Sequence, residues 1–186
     1  MNFRSLLELD ARLSDRLRVA EKPGLLRSFA AFFAQTGDSW FWIAALIILW
    51  LAGNPAWKEW EVVEFAGIIG LAALVMAIKF SVRRRRPEGE WGGIYRNTDP
   101  HSFPSGHAAR SFLIAMLASA FVPTWLIVLL WIWAPLVSLA RVSMGVHYVS
   151  DVIVGAILGV IVAIIGLQIY QPLLGWFVNL IKLPLW

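Results

Sequence analysis

Residues 148–170 read YVSDVIVGAILGVIVAIIGLQIY, with one carboxylate, Asp151, near the start and no charge after it. Crossing ~30 Å of hydrocarbon as a helix takes roughly 20 apolar residues. This stretch therefore predicts a transmembrane helix. Working outward, four more stretches approach that length: about 39–56, 62–80, 106–122 and 124–141. Gly53-Asn54-Pro55 closes the first, and Pro123 divides the third from the fourth. The expected fold is an all-α polytopic bundle of about five spanning helices.

Composition agrees with a bilayer protein. The chain has 186 residues, 59% of them hydrophobic and 15% charged, with a mean hydropathy of +0.70. Cysteine is absent, which excludes a disulfide framework and a thiolate metal site. The net charge of +4 sits beside apolar spans. Anionic headgroups or a phosphate substrate therefore fit it better than nucleic acid.

One integral-membrane domain, 1–186, is expected. Residues 1–36 read as interfacial amphipathic helices, 37–170 as the transmembrane core and 171–186 as a C-terminal tail. Leu6, Leu7, Leu9, Leu13 and Leu17 alternate with charges, which suits a helix on the membrane surface or one packed on the protein itself. Residues 23–36 are too short and polar to span alone.

The long polar connection, 81–104, reads SVRRRRPEGEWGGIYRNTDPHSFP. Its backbone groups would go unsatisfied in lipid. If each span crosses once, this loop, the start of the third span and the turn from Arg141 to His147 all lie on one face of the membrane.

Three segments on that face carry chemistry. Lys79, Arg110, Arg141 and Asp151 lie within or at the ends of apolar helices, where an uncompensated charge costs at least a few kcal/mol. Pro104-Ser105-Gly106-His107 opens the third span, so a helix N-terminus presents N–H groups and a hydroxyl to an anion. His107 stands in the first turn, placed to donate a proton. His147 and Asp151, four residues apart, share a helix face, so the carboxylate can fix the imidazole tautomer. A metal triad of His107, His147 and Asp151 is the competing reading, opposed by the nearby cations.

Lys79-x6-Arg86-Pro87, Pro-Ser-Gly-His at 104–107 and Arg141-x5-His147-x3-Asp151 together resemble the three-part signature of the type 2 phosphatidic acid phosphatases. These belong to the lipid phosphatase and vanadium haloperoxidase superfamily. The resemblance covers about residues 34–170. It departs at Ala140, where the family commonly has Ser, and in having five spans where bacterial relatives often have six.

The resemblance implies that Lys79, Arg86 and Arg141 hold phosphate oxygens, helped by Ser105 and Gly106. It implies that His147 attacks phosphorus, oriented by Asp151. His107 then protonates the leaving oxygen and activates water. No cofactor or metal is implied. The implied partners are the bilayer and a lipid phosphate such as undecaprenyl diphosphate, phosphatidylglycerol phosphate, phosphatidic acid or lipid A phosphate. The oligomeric state is not encoded.

Arg85 and Arg110 are candidate headgroup contacts. Arg83 to Arg85 could equally form a solvated basic patch, and Arg110 a bond between helices. Phosphotransfer to a lipid hydroxyl is an alternative to hydrolysis, and a small anion channel is an alternative of another class. The resemblance places the chain in the cell membrane with its site facing away from the cytoplasm, whereas counting Arg83 to Arg86 by the positive-inside rule gives the opposite.

Overall fold

The computed structural model describes residues 2–19, 21–53, 55–88, 91 and 99–181. Among the described residues the chain is helical, with one isolated bridge between Arg85 and His101. The helices are α1 (Phe3–Arg16), α2 (Leu25–Thr36), α3 (Ser39–Ala52), α4 (Pro55–Val82), α5 (Gly106–Ala118), α6 (Thr124–Ser143) and α7 (Val149–Ile181).

Among the described residues three helices are long and apolar enough to cross a membrane: Trp57–Val82, Thr124–Ser143 and Val149–Pro172, with mean hydropathies of 2.2, 1.9 and 2.8. A fourth crossing arises if α2 and α3, bent by 58° at their junction, count as one broken span. The expected count of about five is thus approximate, since the criterion of length and composition passes three or four. The stretch 106–122 yields only a 13-residue helix. At 1.5 Å per residue it reaches about 20 Å, short of the ~30 Å hydrocarbon. Its apolar composition has another cause. Ala108, Ala109, Leu113, Ile114, Ala115 and Ala118 are wholly buried in protein, so α5 is a central strut.

Close packing fixes that strut. Gly155 and Gly159 of α7 lie against the backbone of α5, and a Cβ on Gly159 would overlap the Ala109 carbonyl oxygen. Small residues at this spacing allow helix backbones to approach closely in a membrane. α5 also packs on α4 and α6.

The N-terminal region is built into the bundle. α2 packs on α6, and the Nε1–H groups of Trp42 and Trp133 donate to Thr36 O (3.0 Å) and Thr36 Oγ1 (2.9 Å). The boundary expected at 36 thus falls inside the bent α2–α3 pair. α1 keeps Leu6, Leu7, Leu9, Leu13 and Leu17 about two-fifths exposed. Its other face caps α7: Asp10 accepts from Ser150 N (3.0 Å) and Ser14 Oγ from Val149 N (3.0 Å). These first-turn N–H groups have no partner within their own helix. At the far end α7 continues to Ile181, past the boundary expected at 170.

Candidate active site

The last turn of α4, the start of α5, the end of α6 and the turn before α7 meet at one end of the bundle. Gly145, at φ +65°, carries the chain through the left-handed turn between Arg141 and His147, a conformation glycine adopts without strain. The result is a cavity of about 380 Å³ lined by Lys79, Arg86, Gly106, His107, Arg141 and His147. Ile68, Leu71, Val75 and Met76 of α4 form its apolar wall. Trp40 and Met76, also in the lining, are 70% and 41% exposed, so the cavity opens between α3 and α4.

The cations are buried and anchored. Lys79 donates to His101 O (3.0 Å) and pairs with the Asp99 carboxylate. Arg86 donates from Nε to Asp99 O (2.7 Å), from Nη2 to Asp99 Oδ2 (2.8 Å) and from Nη1 to Val146 O (2.8 Å). Arg86 Nη1 also lies 3.2 Å from His147 Nε2. A guanidinium can only donate, so His147 Nε2 is the lone-pair nitrogen and its proton sits on Nδ1. Burial holds the His147 pKa well below the usual imidazole range, and the charges of Arg86, Arg141 and Lys79 push the same way. Both effects favour the neutral imidazole.

Asp151 lies behind His147, with Oδ2 3.5 Å from Nδ1. That is longer than an ordinary hydrogen bond. Its firmer partners are Tyr148 N (2.9 Å) and Arg84 Nη1 (2.7 Å). Arg84 also pairs with Asp10 (2.7 Å) and lies over the Tyr148 ring at 3.9 Å. His107 has its own carboxylate, because Nε2 is 2.7 Å from Asp38 Oδ1.

Two expected phosphate or headgroup contacts lie elsewhere. Ser105 is fully buried outside the cavity lining, its Oγ capping α5 at Ala108 N (3.5 Å). Arg85 is exposed and bridges to His101 through its backbone. Arg110 reaches the cavity, but its guanidinium donates to Gly37 O from Nε (2.9 Å) and Nη2 (2.6 Å) and pairs with Ser39. It is a strut between α5 and the α2–α3 corner. Among the described residues no three His, Asp or Glu side chains gather as a metal site. Sequence reading missed Asp38, Asp99 and the pairing of Arg84, none of which stands in a recognisable spacing.

This bundle, with its end-on basic cavity, matches a known class. The PAP2 superfamily model matches residues 61–174. The chain belongs to that superfamily, in the type 2 phosphatidic acid phosphatase family. It is 33% identical over 150 residues to the decaprenylphosphoryl-5-phosphoribose phosphatase of Mycobacterium tuberculosis, covering 79% of this chain and 81% of the relative. The crystal structure of Aquifex aeolicus LpxE superposes with a TM-score of 0.68 at 30% identity, covering 87% of this chain and 94% of that one. The transmembrane PAP2-type phosphatidylglycerolphosphate phosphatase of Bacillus subtilis shares the fold, with a TM-score of 0.72, 20% identity and coverage of 90% and 87%.

Proposed function

We propose that this protein hydrolyses a lipid phosphate through a phosphohistidine formed on His147. The observation that carries this reading is the joining of Lys79, Arg86, Arg141, His107 and His147 in one cavity with an apolar wall. Three cations surround the position of a phosphate whose charge is near −2, stabilising the equatorial oxygens of the transition state. They supply charge that other phosphatases take from a metal ion.

In the first step the His147 Nε2 lone pair attacks phosphorus, the bond to the lipid oxygen breaks, and His107 delivers a proton to that oxygen. In the second step His107 takes a proton from water, which attacks phosphorus and releases phosphate and neutral His147. Asp38 holds His107 for both transfers. Asp151 stands on the Nδ1 side of His147, where it stabilises the charge that develops on the ring.

The opening between α3 and α4 supports a lipid as the leaving group. A headgroup can enter among the cations while its chain stays against Met76 and Trp40. The Mycobacterium tuberculosis relative named above is a phosphatase of a decaprenyl-linked sugar phosphate, so a prenyl-linked phosphate is the substrate class to test first. The site faces away from the cytoplasm, as the family resemblance implies.

The experiment is phosphate release by the purified protein from a panel of lipid phosphates in excess EDTA. Turnover that persists in EDTA, is blocked by vanadate and is lost in His147→Ala is expected. Activity abolished by EDTA and restored by Mg²⁺ would refute the mechanism.

A further inference from the structure

The Asp99 carboxylate already occupies an anion position among the cations. Its Oδ2 is shared by Lys79 and Arg86 Nη2, and Asp99 lines the same cavity as His147. A phosphate oxygen bound by both cations would need that place. We infer that Asp99 is an internal counter-anion that exchanges with phosphate: it leaves when substrate binds and returns to displace the product. This rests on reading Lys79 and Arg86 as the phosphate cradle.

Two observations make the carboxylate removable. Lys79 keeps a bond to His101 O, and Arg86 keeps bonds to Asp99 O and Val146 O, all to the main chain. The cradle therefore retains its anchors when the side chain swings away. Asp99 is one-third exposed, whereas the Lys79 and Arg86 side chains are 4% and 1% exposed. The cations are fixed and the carboxylate has a route out.

The exchange has two consequences. Every anion binds more weakly by the fraction of time the carboxylate is away. Abundant phosphodiester headgroups, each with a single charge, then fail to occupy the site, while a phosphomonoester with greater intrinsic affinity still does. Product phosphate, which the cations would otherwise retain, leaves as the carboxylate returns.

The test is equilibrium dialysis of radiolabelled inorganic phosphate against the full-length protein in micelles, wild type and Asp99→Asn, at pH 8. Asn keeps the shape and the main-chain bonds but lacks the charge. The variant should bind phosphate about tenfold more tightly, and short-chain phosphatidylglycerol should inhibit it where wild type resists. Equal or weaker phosphate binding would overturn the inference. Charge removal alone could tighten binding, so a vanadate complex of wild type is the second measurement. Asp99 displaced from Lys79 and Arg86 supports exchange; Asp99 still seated on both refutes it, and this test holds even if the variant fails to fold. Wild-type turnover of lipid phosphate tests the parent reading separately, because dialysis needs no catalysis.

Discussion

The two imidazoles have different carboxylate neighbours, Asp38 and Asp151, and each gives an expected outcome. His147 is buried beside three cations, which lowers its pKa. A lowered value keeps the neutral form populated as pH falls, so its NMR signal should stay that of a neutral ring at pH 6, below the ordinary midpoint of about 6.5. The signal is assigned by its loss in His147→Gln; titration at or above 6.5 would contradict the cavity's electrostatics. His107 pairs with Asp38, so Asp38→Asn should act through proton transfer. Hydrolysis of an alkyl phosphate should fall about 10- to 100-fold, part of the roughly 10²–10⁴-fold that general acid catalysis supplies. An activated aryl phosphate, whose leaving group needs no proton, should be nearly spared. Equal losses on both would assign Asp38 a purely structural role. These residues differ in how visible they were beforehand. Lys79, Arg86, His107, Arg141 and His147 stand in spaced motifs and do line the cavity. Asp38 and Asp99 are single acids whose importance comes from contacts across 69 and 20 residues of sequence. Ser105 stands in the same motif, but its hydroxyl serves the helix it starts.

At the scale of elements, hydropathy found α4, α6 and α7 because each presents an apolar surface long enough for lipid. At α5 hydropathy is ambiguous for a physical reason: a helix buried among other helices is as apolar as one facing lipid. It reads less clearly at α2 and α3, two short segments that are long enough to cross only when the pair bent by 58° is counted together. The α5–α7 contact provides a direct check. Gly159→Ala places a methyl group on the Ala109 carbonyl, and overpacking of this kind costs about 1–3 kcal/mol. The variant should lose thermal stability in micelles, whereas Gly70→Ala, with open space around it, should not. The link from α1 to α7 provides another. Asp10→Ala removes an acceptor for Ser150 N and for Arg84, with a capping loss of about 0.5–2 kcal/mol. Because Arg84 also holds Asp151, turnover should fall with stability. Unchanged turnover in a destabilised variant would separate α1 from the site.

For the whole molecule, the orientation in the membrane can be measured cleanly because the chain has no cysteine. Glu88 is exposed in the connection after α4, on the side of the site. In Glu88→Cys, an impermeant maleimide should label intact cells. Labelling only after permeabilisation would place the cavity towards the cytoplasm, as the arginine count at 83–86 suggests.

The mouth between Trp40 and Met76 has a kinetic consequence. An enzyme entered sideways meets its substrate by two-dimensional diffusion, so the relevant concentration is mole fraction within the leaflet. Adding inert phospholipid at constant total substrate should slow the reaction by surface dilution, while adding buffer to the same vesicles should leave the rate per enzyme unaltered.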